Sequence, residues 1–115
     1  MMIIQGESYS VTRHVDDITI KGALRLNSMD EYQTIQDFLI QVAAEQNEKI
    51  CIDLSELQLL NSSGITMLSK FVIHCRKNTI EVSMKWHSSI AWQGKSLKNL
   101  QRLLPSLQLI EINSP

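Results

Sequence analysis

A chain of 115 residues with 43% hydrophobic and 20% charged side chains, at a formal net charge of −1, has the makeup of one globular domain. That balance argues against disorder and against a nucleic-acid binder that works through a strong positive field. No apolar run approaches the ~20 residues needed to cross a bilayer, and Met1-Met2-Ile3-Ile4 lacks the basic start and long apolar stretch of a signal peptide; the expectation is no membrane insertion and a cytoplasmic location.

In chain order, Tyr9 to His14 reads as a strand, Asp16-Asp17 as a turn, and Ile18 to Lys21 as a second strand that Gly22 ends. After the link Ala23 to Ser28, apolar residues recur at Tyr32, Ile35, Leu39 and Val42, with Phe38 and Ala43 beside them. Those three- and four-residue steps predict a helix from about Met29 to Gln46, capped by Ser28 or Asp30. Lys49 to Leu54 is an almost continuous apolar run, expected to form a central strand covered on both faces.

A brief connection, Ser55 to Leu60, leads to Asn61-Ser62-Ser63-Gly64, which opens a second helix. Its stripe is Ile65, Leu68, Val72 and Cys75, widened by Met67 and Phe71, and Lys77-Asn78 closes it. Ile80, Val82, Met84 and Trp86 then alternate with polar residues, which is strand periodicity. A third helix is predicted from about Gly94 to Leu104, stopped by Pro105, before a last strand from Leu107 to Ile112. The order β-β-α-β-α-β-α-β implies an α/β fold over residues 1–115, a mixed sheet that begins with a hairpin and carries helices packed on it.

Charge is unevenly spread. Residues 1–57 hold ten acidic and four basic side chains, a balance of −6, whereas residues 58–115 hold two acidic and seven basic, a balance of +5. Solvated helix faces account for this, and a bipolar surface that orients a protein partner is the sharper reading. Cys51 and Cys75 read as small core residues in a reducing compartment.

Catalytic signatures are absent from the sequence: no nucleophile elbow, no Walker loop, no dinucleotide fingerprint. His14, His74 and His87 do not make metal-ligand spacing with the cysteines. An enzyme, a metal and a cofactor are therefore not expected, and core packing outweighs a ligand pocket for Trp86 and Trp92.

The informative segment runs from Asp53 to Ile65. A buried strand ends in Asp53, and a short connection delivers Asn61, Ser62 and Ser63, three side chains that each suit the N-cap of the next helix. Only one cap is needed, so hydroxyls are left over. A hydroxyl at a helix N-terminus suits phosphorylation, because the added charge of about −1.5 to −2 meets free N–H groups and the positive end of the helix dipole. Gly64 offers a close backbone approach there, and Ile65 or Met67 an apolar edge.

Asp53-Leu54-Ser55, followed by Leu59-Leu60-Asn61-Ser62-Ser63-Gly64-Ile65 and a long apolar helix, resembles the signature of STAS domains, in particular anti-sigma-factor antagonists. The element order is similar along nearly the whole chain. The resemblance implies a non-catalytic partner-switching adapter. Its acceptor serine maps to Ser62, with Ser63 as second choice, phosphorylated by a cognate serine kinase that often is itself the anti-sigma factor. A PP2C-type phosphatase removes the phosphate, and the unmodified form binds the kinase. The family's usual Asp before the acceptor is Asn61 here. A related branch with Asn at this turn regulates a diguanylate cyclase, which makes such a cyclase an alternative partner; an unphosphorylated STAS scaffold is the other alternative. On this resemblance the partner-binding residues are Asp53, Asn61, Ser62, Ser63, Gly64, Ile65 and Met67.

Overall fold

A computed structural model describes residues 3–45 and 48–112. Seven strands form one mixed sheet: β1 (Ile3–Gln5), β2 (Tyr9–His14), β3 (Asp17–Leu24), β4 (Lys49–Asp53), β5 (Leu57–Leu60), β6 (Glu81–Trp86) and β7 (Gln108–Glu111). Three helices alternate with them: α1 (Met29–Glu45), α2 (Ser62–Lys77) and α3 (Gln93–Leu103). The strand path is β1-β2-β3-β4-β6-β7, with β5 pairing β3 off that path. The first three strands pair antiparallel, and the pairs β3–β4, β3–β5, β4–β6 and β6–β7 are parallel. The expected mixed sheet with an initial hairpin and packed helices is thus present, with two additional short strands, β1 and β5.

Burial alternates strictly along the central strands. Val11, Ile18, Ile20, Ile50, Ile52, Val82 and Met84 are buried. Their neighbours Thr12, Thr19, Cys51, Asp53, Ser83 and Lys85, which the pleat turns to the opposite face, are only half-buried. The buried residues meet Tyr32, Ile35, Phe38, Leu39 and Val42 of α1, Met67, Leu68, Phe71 and Val72 of α2, and Leu97 and Leu100 of α3 in one core. The helices therefore cover one face of the sheet. The expectation that β4 is covered on both faces is corrected: Cys51 mimics an apolar run but lies on the open face, and only Cys75 is a fully buried thiol. Burial pushes the Cys75 thiol up to about 12.

Gly22 does not end a strand. It sits at φ 94, where a Cβ would come within 2.2 Å of the Ser8 carbonyl oxygen, and the register shifts between Gly22 and Ala23. Beyond this bulge β3 continues to Leu24. Its first half pairs with β4 at Asp17–Thr19, and its second half pairs with β5 at Gly22–Leu24. This divided strand carries β5 past the end of β4 and so sets where α2 begins.

Three other residues take left-handed backbone conformations: Val15 (φ 58), Glu48 (φ 61) and Thr79 (φ 55). Each immediately precedes β3, β4 or β6 or stands one residue away from it. All three therefore lie at the pole opposite the starts of α2 and α3. The predicted helix end at Gln46 lies outside the described residues.

Candidate functional site

The site is the turn between β5 and α2. Leu60, the last residue of β5, faces the core, and the Asn61 amide donates to the Leu24 carbonyl at 3.3 Å. Asn61 has extended backbone angles (φ −78, ψ 174) and is the N-cap of α2. Its Oδ1 accepts the Gly64 amide at 3.1 Å, the side-chain bond expected of a capping residue. Of the three side chains competent to cap this helix, Asn61 alone does so.

The reason lies outside the turn. Asn61 Nδ2 donates to the Leu26 carbonyl at 2.9 Å, and the Tyr32 hydroxyl, from the first turn of α1, donates to Asn61 Oδ1 at 2.5 Å. Tyr32 is completely buried, and its oxygen also lies 3.1 Å from the Leu24 carbonyl and 3.4 Å from the Leu26 amide that donates to it. One carbonyl needs a donor while one amide and one phenol need an acceptor, and a carboxamide satisfies both demands. An aspartate at this position would set a carboxylate oxygen against the Leu26 carbonyl. The departure from the family's usual acid therefore has a local cause in this fold. Burial, the largest influence, raises the Tyr32 phenol above its ordinary value against the lowering effect of the Leu26 amide, so at neutral pH it is a hydroxyl donor.

Gly64 is buried because Tyr32 and Leu60 close over it. A Cβ there would lie 2.2 Å from Leu60 Cδ1 and 2.8 Å from Tyr32 Oη. The glycine thus serves a close approach inside the domain, not a contact with a partner.

Ser62 is exposed and Ser63 half-buried. With Asn61 as cap, neither hydroxyl has a hydrogen-bond partner among the described residues, and the same holds for their backbone amides. Two N–H groups at the positive end of a 16-residue helix stand beside two unengaged hydroxyls, and no acidic residue occupies the first turn. Such a turn can accept an anionic group without breaking any bond that holds the fold.

The remaining predicted site residues separate from this turn. Met67 is 1% exposed and sits in the core; three residues beyond Gly64 on the same helix face, it points inward, so it offers no edge to a partner. Ile65 is half-buried and packs on the core from its rim. Asp53 ends β4, and its Oδ1 accepts the Ser55 amide at 2.9 Å and the Ser55 hydroxyl at 2.6 Å. That bond pair shapes the β4–β5 turn. Among the described residues no hydrogen bond links Asp53 to Asn61, Ser62 or Ser63.

Gln93 went unnoticed in the sequence. It is the one fully buried carboxamide among the described residues, and it donates to the carbonyls of Leu54 at 2.6 Å and Leu57 at 3.1 Å while accepting the His87 amide at 2.8 Å. Trp92 Nε1 also donates to the Leu57 carbonyl, at 2.9 Å. Together they staple the β4–β5 turn to the loop that enters α3. No helix among the described residues is long and apolar enough to cross a membrane, and no cluster of metal-ligating side chains occurs among them.

Comparison with known proteins agrees with this architecture. Three solved structures from Pseudomonas aeruginosa share the fold at low identity. A chain from the crystal structure of the diguanylate cyclase SiaD in complex with its activator SiaC superposes with a TM-score of 0.73 at 13% identity, covering 97% of this chain and 100% of that one. Apo-SiaC gives 0.71 at 13% identity over 98% of this chain and 100% of the other, and a further SiaC structure gives 0.65 at 14% over 98% and 96%. No curated protein matches the sequence. The STAS domain model matches residues 10–89, a span that runs from β2 through the β5–α2 turn to just past β6, and the chain belongs to the STAS domain family.

Proposed function

We propose that this protein is a non-catalytic partner-switching adapter whose binding is controlled by phosphorylation of Ser62. The observation that carries the reading is the division of labour in the turn. Asn61 takes the cap and ties it to the interior, which leaves the exposed Ser62 hydroxyl and two backbone amides unengaged at the start of α2. A phosphate there gains helix-dipole and N–H stabilisation and alters the surface charge without unfolding the domain. Ser63, half-buried, is the second choice.

In this reading a serine kinase of the anti-sigma-factor type binds the unmodified form and modifies it, and a PP2C-type phosphatase reverses the step. A second reading replaces the output partner with a diguanylate cyclase under the same kinase and phosphatase logic. It is favoured by Asn61, whose amide is required by this fold, and by the backbone likeness to SiaC, the activator of a diguanylate cyclase. Asn61, Ser62, Ser63 and the rim residue Ile65 form the contact surface in both readings, with Asp53 shaping the adjacent turn.

The test is capture from native cell lysate on wild-type, Ser62→Ala and Ser62→Asp baits, with bound proteins identified by mass spectrometry. Retention of a kinase by Ser62→Ala and its release by Ser62→Asp supports the first reading; a cyclase behaving in this way supports the second. Equal capture by all three baits rejects phosphorylation control.

A further inference from the structure

The acceptor turn is not an isolated surface loop. Its cap is bonded to a phenol that belongs to a different element, α1, and that phenol in turn receives an amide from the β3–α1 link. The connections are partly buried: Gly64 amide to Asn61 Oδ1 at 3.1 Å, Tyr32 hydroxyl to the same oxygen at 2.5 Å, Asn61 Nδ2 to the Leu26 carbonyl at 2.9 Å, and Leu26 amide to Tyr32 Oη at 3.4 Å. Residues 26, 32 and 61 thereby close a ring of hydrogen bonds, onto which the Gly64 amide is joined at Asn61 Oδ1. Tyr32 is fully buried, and Gly64 lacks the Cβ that would push its oxygen away. In a low-dielectric interior such a ring is stronger than exposed bonds of the same length, and its members shift together.

We infer that Tyr32 is the positioning residue of the acceptor turn, and that through it a phosphate on Ser62 is felt at Leu26 and the start of α1. This deepens the proposed function and rests on Ser62 being the modified residue. The physical link is competition for the N–H groups of the first helical turn. A phosphate at Ser62 draws on the Ser62 and Ser63 amides and pulls on the neighbouring Gly64 amide that Asn61 holds. Any change in the Gly64–Asn61 bond is passed to the other donor on the same oxygen, the Tyr32 hydroxyl, and from there to the Leu26 amide. The surface read by a partner then includes the β3–α1 link, where Arg25, Asn27 and Ser28 are exposed, and not Ser62 alone.

The experiment needs no kinase. Phosphoserine is incorporated at position 62 during translation in the wild-type and Tyr32→Phe chains, and amide resonances are compared with those of the unmodified forms. In the wild type, phosphoserine shifts the amides of Ile65 and Leu26; in Tyr32→Phe the Ile65 shift stays and the Leu26 shift falls to less than half. In the unmodified chains, Tyr32→Phe speeds hydrogen exchange at the Gly64 amide about two- to tenfold, the opening expected for loss of one buried hydrogen bond, with α3 amides unchanged. An undiminished Leu26 shift in Tyr32→Phe, or unaltered Gly64 exchange, overturns the inference. If Tyr32→Phe does not fold, the Tyr32 Cζ resonance of the wild type decides: it moves with phosphoserine at 62, or the inference fails. Partner capture that ignores phosphoserine while the Leu26 coupling stands would reject the proposed function alone. Switching capture without that coupling rejects the inference alone.

Discussion

Helices α2 and α3 both begin at the carboxyl-terminal ends of parallel strands, yet they spend their polar groups in opposite ways. At α2 an asparagine is tied inward by its side chain, and the next two residues are left with free hydroxyls and free amides. At α3 the N-cap Trp92 makes no side-chain cap bond. Instead, its indole and the buried Gln93 amide are directed at the carbonyls of Leu54 and Leu57. One start keeps its bonding capacity available at the surface; the other consumes it inside. Position relative to the sheet does not distinguish an open helix start from a structural joint. The fate of the donors and acceptors does.

The largest effect is expected on the consumed side. Gln93→Leu keeps the volume but strands the His87 amide and takes one donor each from the Leu54 and Leu57 carbonyls, which keep the Leu57 amide and the Trp92 indole. A loss of about 3–4 kcal/mol follows from one unsatisfied amide and two further lost hydrogen bonds, measurable by urea denaturation. Asn61→Ala should cost less, about 2–3 kcal/mol, because the site is half-buried and water can reach part of what is lost. If the two variants lose equal stability, the contrast between the helix starts is smaller than their geometry indicates.

Alkaline titration sharpens the comparison from the Asn61 side. Burial raises the Tyr32 phenol, so the folded state resists its ionisation more than the unfolded chain does. The corresponding stability is complete below the ordinary tyrosine range, near pH 10, and is lost as pH rises from there through the raised folded value. Melting temperatures of wild type and Tyr32→Phe should converge in strong alkali, after differing at neutral pH. Ser62→Ala is the smallest case. Because Ser62 is not the cap, its stability should stay within about 0.5 kcal/mol of wild type, and a loss above 1 kcal/mol would assign it a structural bond that the turn does not show.

Most of this fold can be read along the chain, because helices α1, α2 and α3 carry strong three- and four-residue apolar spacing, and the start of α1 and both ends of α2 and α3 match the predicted ones within about two residues. Strand β5 escapes because Leu57-Gln58-Leu59-Leu60 is short and exposes Gln58 and Leu59 in succession, which breaks alternation. Gly22 reads as a terminator because a bulge and a strand end share that residue. The β5–α2 turn is visible as a cluster of small polar residues, but which member caps the helix is not. That choice is made by the Leu26 carbonyl, 35 residues earlier, and by a phenol that reads as one more apolar position on α1. Gln93 gives no local sign, since its partners lie 36 and 39 residues away.

The left-handed residues at the far pole give the molecule a separate place to adjust itself. Val15 and Thr79 are β-branched and Glu48 is long, and none of the three favours the backbone that it adopts (φ 58, 55 and 61). Each stores about 1–2 kcal/mol of conformational strain. Glycine or asparagine at these positions releases it without touching α2, Tyr32 or the β5–α2 turn. Backbone strain and the open start of α2 thus lie at opposite ends of the same sheet, so a lineage of such domains can become hardier or more labile while that turn stays as it is.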